Sequence, residues 1–157
     1  MLSNSTVSIP SVTSPMYFLD PLFLGKCEQL KDGGWRIDRH VGSLVGRSFA
    51  DLGSEVFVLL PGDKIRSLFT GEESKLDEHL ASFLFAIPDP DTLVGIIERE
   101  GGKVETLELV DGRTWKLRVA FPDQEVLSEN ATALSHALID ILLSRPKHVE
   151  EIRHVLG

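Results

Sequence analysis

A single cysteine, Cys27, leaves this 157-residue chain no partner for an intramolecular disulfide. The fold must be held by its core, and an intracellular, cytoplasmic setting is expected. No apolar run approaches the roughly 20 residues a membrane-spanning helix requires, so no membrane partner is expected. Met1 to Pro15 has no basic residue ahead of an apolar stretch and is not a standard secretory signal. Residues 1–15 read as a flexible tail. Basic residues are also scarce, 16 against 24 acidic, for a net charge of −8. Binding nucleic acid through its phosphates needs clustered Lys and Arg, so nucleic acid is excluded as a partner.

Motifs of high specificity are absent too. His136, His148 and His154 follow no zinc spacing, and neither a metal nor a cofactor is expected. Gly42-Ser43-Leu44-Val45-Gly46-Arg47-Ser48 echoes a phosphate loop. It is one residue short, has Arg where Lys belongs, and leads into no helix long enough to serve it. Cys27 lies beside Lys26 but has no paired histidine, and reads as inert.

What is present is an ordinary globular composition, 42% hydrophobic and 25% charged. Residues 16–157 read as one domain. The strongest pattern runs from Leu93 to Phe121, as three strands joined at Gly101-Gly102 and Asp111-Gly112. Both dipeptides suit the type I′ turn of a tight hairpin. Trp115, Leu117, Val119 and Phe121 alternate with Lys116 and Arg118. Two-residue turns would set Glu105 opposite Arg118, Val104 opposite Val119 and Glu108 opposite Trp115. That register leaves Val94, Ile96, Leu107 and Leu109 on a second face that needs cover. The alternative for the first strand is a helix from Thr92 to Glu100 capped by Asp91.

Elsewhere, Pro21 demotes the apolar stretch Met16–Gly25 to an edge strand or extended segment. Asp32-Gly33-Gly34 reads as a turn, Trp35–Val41 as a half-buried strand, and Glu55–Leu60 as an interior strand ended by Pro61-Gly62-Asp63. Thr70-Gly71-Glu72-Glu73 fits a capping box ahead of a helix bearing Leu76, Leu80, Phe83 and Leu84. Ser128 opens a second helix, apolar on more than one side, and Ser144 a third with Pro146 in its first turn. The sum is an α+β protein. An antiparallel sheet of about five strands, including the three-stranded meander, carries about three helices.

Two constellations bear on function. Arg36, Asp38 and His40 share one face of the strand expected there, a histidine beside a carboxylate and an arginine. They would centre a small enzyme or ligand-binding domain, with Glu55 as a further carboxylate. His136 and Asp140, four apart on a helix, form a lesser pair. The second constellation is acidic. Residues 61–100 hold nine acids against four bases. Such a stretch suits a basic protein surface. The leading expectation is therefore a non-enzymatic interaction module. It would bind a basic partner, or a second copy of itself, through Glu72, Glu73, Asp77, Glu78, Asp89 and Asp91 with Val94, Ile96, Leu107 and Leu109. In size, charge and class the chain resembles small acidic binding proteins such as toxin-neutralising immunity proteins and secretion chaperones.

Overall fold

Pro21 begins a helix. Its fixed φ and missing N–H suit a first turn, and the Asp20 carboxylate accepts from the Leu22 N–H at 3.0 Å. The resulting helix α1, Pro21–Asp32, replaces the edge strand that the proline implied. It ends in a left-handed cap. Gly34 takes φ +87°, its N–H reaches the Lys31 carbonyl, and the Trp35 N–H reaches the Leu30 carbonyl. Here and below, the structure is a computed structural model that describes residues 19–49 and 53–145. The chain divides into two units, one ending at Pro88 and the other starting at Asp89.

The first unit is built on five antiparallel strands: β1, Leu44–Phe49; β2, Gly53–Leu60; β3, Lys64–Ser67; β4, Glu73–Lys75; and β5, Phe85–Ala86. Their order is β4-β3-β2-β1-β5. The apolar run Glu55–Leu60 is thus an interior strand, as its composition requires. One sheet face carries Gly46, Val56 and Phe85 and receives α1, whose Phe23, Leu24, Cys27 and Leu30 are buried. The Ser48 hydroxyl, on that face, donates to Glu28 of α1 at 2.9 Å. Gly46 is needed there, because a Cβ would lie 2.5 Å from the Phe85 ring. The other face carries Val45, Phe57, Leu59 and Ile65. They cluster with Leu84, and Leu76 and Leu80 pack against them.

Leu80 belongs to a short helix α2, Glu78–Phe83. The helix starts later than the capping-box pattern implies. Gly71 takes φ +77°, Thr70 accepts from the Glu72 N–H as a local turn, and Glu73 is committed to β4 opposite Arg66. Asp77 is the actual cap, accepting from the Leu80 N–H at 2.7 Å. Trp35–Val41 forms no strand. Trp35 is buried against the end of α1, and the segment is irregular up to β1.

The second unit holds helix α3, Pro90–Arg99, strands β6, Lys103–Val110, β7, Thr114–Ala120, and β8, Val126–Ala131, and helix α4, Leu134–Leu143. The strands form a separate antiparallel sheet, β6-β7-β8. The α+β class and an antiparallel sheet of five strands are as expected. The meander, however, forms its own sheet rather than part of that one, and four helices rather than about three stand among the described residues. The meander is present but displaced by one element. Residues 93–99 are helical, capped by Asp89 rather than Asp91. Gly101-Gly102 ends that helix instead of turning a hairpin. Gly101 takes φ +88°, and the Gly102 N–H reaches the Ile97 carbonyl at 2.8 Å. A Cβ on Gly102 would lie 2.7 Å from the Ile97 side chain and 2.8 Å from the Phe121 ring.

The third strand is β8, where the sequence pattern placed a helix from Ser128. Leu127, Glu129 and Ala131 point to the core side and Val126, Ser128 and Asn130 outward, a period of two. Asp111 and Gly112 do take positive φ, 55° and 65°. The ladder beyond them pairs Val110 with Thr114, and a bulge at Glu105 restores Val104 opposite Val119. The one-residue shift puts Leu109 opposite Trp115 and Glu108 opposite Lys116. Glu108 is exposed on the polar face, and Leu107 and Leu109 share the core face with Leu117 and Trp115. Arg118 bonds Glu105 at 2.9 Å across the bulge. Ala137, Leu138, Ile139, Ile141 and Leu142 of α4 are all fully buried, so that helix is covered on more than one side. The tail, the apolar residues Met16 to Phe18 and the expected last helix from Pro146 lie outside the described residues.

Candidate functional site

Arg47 and Glu55 face each other across the β1–β2 ladder. They lie on the sheet face covered by α2, at the end that the short helix leaves open. Behind Glu55 come Phe57, then Ser67 and Ile65 on β3, and Ser74 on β4, all on the same face by register. These residues, with Phe49, Thr70, Glu72 and Leu80, line a cleft of about 400 Å³. That volume lies within the usual range for ligand sites. Its floor is buried, formed by Phe57, Ile65 and Ser67, while Thr70, Glu72 and Ser74 at the mouth are exposed.

Ser67 positions Glu55. Its hydroxyl donates to Glu55 Oε2 at 2.6 Å and accepts from the Phe69 and Thr70 N–H groups at 3.1 and 3.2 Å. One donor and two acceptor sites exhaust a hydroxyl. Ser67 is therefore a brace for the carboxylate and the following turn. Arg47 is held differently. Its guanidinium lies 4.9 Å from the Phe49 ring centre and 5.4 Å from that of Phe83, a residue 47% exposed. Among the described residues Arg47 has no ion-pair partner.

Of the acidic residues singled out in the sequence, Glu72 and Glu55 reach this cleft. Glu73 pairs with Arg66, whose hydrogen bond and charge hold the Glu73 carboxyl below the usual carboxylate range. Asp77 and Asp89 are helix caps, and Glu78 and Asp91 are exposed in the first turns of α2 and α3. Asp89 and Asp91 belong to the second unit, so the acidic set is divided between the two units. Val94 is half-buried and Ile96 buried on α3. They share no strand face with Leu107 and Leu109 of β6, of which Leu107 is 42% exposed.

Arg36, Asp38 and His40 are all exposed on the irregular segment before β1. Of the residues between and before them, Trp35 is buried, Ile37 is half-buried and Arg39 is exposed overall but reaches back with its guanidinium. Trp35, Ile37 and Arg39, with Cys27, Lys31 and Ala86, surround a small cavity of about 40 Å³. Arg39 donates to the Leu84 carbonyl at 2.8 Å, and burial lowers its pKa. Such a space suits a water molecule rather than an organic ligand. His136 is buried in α4 and Asp140 is half-buried one turn on. His148 and His154 fall outside the described residues. Among the described residues no group of three or more His, Cys, Asp or Glu is placed to hold a metal ion. No helix among them is long and apolar enough to cross a membrane.

Sequence reasoning alone did not bring Arg47 to Glu55, nor Ser67, Thr70 and Ser74 to the same place. The signal available was the antiparallel pairing of β1 with β2, which sets 47 opposite 55 once both strands are assigned. No family model, curated protein or solved structure matches this chain.

Proposed function

We propose that this protein is a non-enzymatic interaction module that binds a basic segment of a partner protein, and that the cleft of the first unit is its binding site. The observation that carries this reading is the convergence of Glu55 and Glu72 on one open cleft with an apolar floor. A lysine or arginine side chain has the matching form, a hydrocarbon stem and a charged head. Its stem lies along Phe57, Ile65 and Leu80, and its head meets Glu55, whose carboxylate Ser67 already orients.

Titration of the protein with a fluorescent lysine-containing peptide tests the reading. Glu55→Gln and Glu72→Gln each weaken binding, the former by about tenfold, equivalent to ~1.4 kcal/mol. Asp91→Asn, remote in sequence and in the other unit, leaves binding unchanged. Equal affinity of all three variants for the peptide would remove the cleft from consideration.

A further inference from the structure

The cleft holds opposite charges apart. Arg47 and Glu55 are direct cross-strand neighbours, a position in which Cβ atoms stand about 5 Å apart and ion pairs form readily. No ion pair joins them. Ser67 draws the Glu55 carboxylate toward β3 at 2.6 Å. Phe49 and Phe83 draw the Arg47 guanidinium the other way. Each charge has its own brace, and both line the same cavity. A ligand that is only cationic meets repulsion from Arg47. One that is only anionic meets Glu55 and Glu72. A ligand carrying both signs satisfies the site.

We infer that the cleft recognises the carboxyl terminus of a partner chain that ends in lysine or arginine. The inference rests on the reading of the cleft as a site for a basic segment, and specifies which basic residue it takes. The terminal side chain enters over Phe57, Ile65 and Leu80 and places its cation at Glu55. The terminal carboxylate meets Arg47 where the cavity wall gives way to the exposed Phe83, and a guanidinium offers it a bidentate, charge-assisted pair. Glu72 at the mouth repels a partner whose last residues are acidic. A cavity of about 400 Å³ accepts a terminal residue and excludes a folded surface. The arrangement is that of carboxylate capture at a chain end, with a side-chain pocket beside it.

The test uses the intact protein and four ligands: a fluorescent hexapeptide Gly-Ser-Gly-Ser-Gly-Lys with a free carboxylate, the same peptide amidated, the same peptide ending in Glu, and free lysine as competitor. The free-acid lysine peptide binds best, amidation weakens it by about tenfold or more, and the Glu-ended peptide does not bind. Arg47→Gln abolishes the difference between acid and amide: the free acid weakens, and the amide, relieved of the Arg47 charge, binds at least as well as before. Should that variant misfold, the acid–amide comparison on the unaltered protein decides alone. Equal affinity for acid and amide overturns the inference while the basic-segment reading stands. Absence of binding by both lysine peptides removes both readings. Competition by free lysine at the peptide's own affinity overturns a chain terminus in favour of a free amino acid.

Discussion

Cys27 shows how one side chain can report on the core around it. It is buried on the inward face of α1 with Phe23, Leu24 and Leu30. Burial pushes its thiol up to about 12 from an ordinary 9.0, against a smaller opposing effect of a backbone hydrogen bond. Disulfide exchange requires the thiolate, so the native thiol is unreactive despite the neighbouring Lys26. The sign of the stability effect follows. As pH rises past 9.0 the unfolded chain loses the thiol proton first, while the folded chain keeps it. The contribution is whole below 9.0 and is lost as pH climbs toward about 12. Urea midpoints of the native protein fall across that window, and those of Cys27→Ala fall less steeply. A thiol reagent at pH 8 labels Cys27 only in urea. Prompt labelling of the native protein would contradict the burial.

At the scale of elements, ambiguity gathers where one local signal serves two structures. Asp111-Gly112 is a hairpin turn, and Gly101-Gly102, with the same tolerance of positive φ, is a helix cap. Pro21 is compatible with an edge strand and with a first helical turn, and Asp20 in front of it decides for the helix. Strong patterns stay legible, the continuous apolar run in β2 and the period of two in β7. The weak one in β8 is hidden by Ser and Asn, which suit a helix start equally. The wider turn that pairs Val110 with Thr114 leaves no sequence mark, nor does the bulge at Glu105 that undoes its shift. Yet between them Leu107 and Leu109 lie on the core face and Glu108 on the polar one, the reverse of the two-residue-turn register. The candidate site suffers in the same way. Glu55 and Glu72 are visible as carboxylates, but Arg47 shows only as part of a failed phosphate-loop pattern, because register across four strands assembles the group. Elements also separate the acids with a structural role from those at the proposed cleft. Asp89 caps α3, accepting from the Thr92 N–H at 2.7 Å. Asp89→Ala lowers stability by about 1 kcal/mol in chemical denaturation, and Asp89→Ser, which keeps the cap without the charge, recovers most of it. Equal losses for the two variants would show that the charge, not the cap, is what matters.

For the whole molecule the net charge of −8 acts before any contact forms. A field of one sign repels a second copy of the chain and attracts a basic one, which favours a foreign partner over self-association. It acts at long range, over about 10 Å at 0.1 M salt, whereas in the proposed reading the braced carboxylate Glu55 acts on a ligand already seated. The two contributions separate kinetically. Long-range attraction raises the association rate, and a desolvated contact in the cleft slows dissociation. Stopped-flow measurements with a basic peptide across a salt series therefore show an association rate that falls by about tenfold or more, with a much smaller change in dissociation. Glu55→Gln has the reverse profile, faster dissociation at nearly constant association. A salt series that moves only the dissociation rate would assign the attraction to the cleft alone and leave the acidic surface no part in capture.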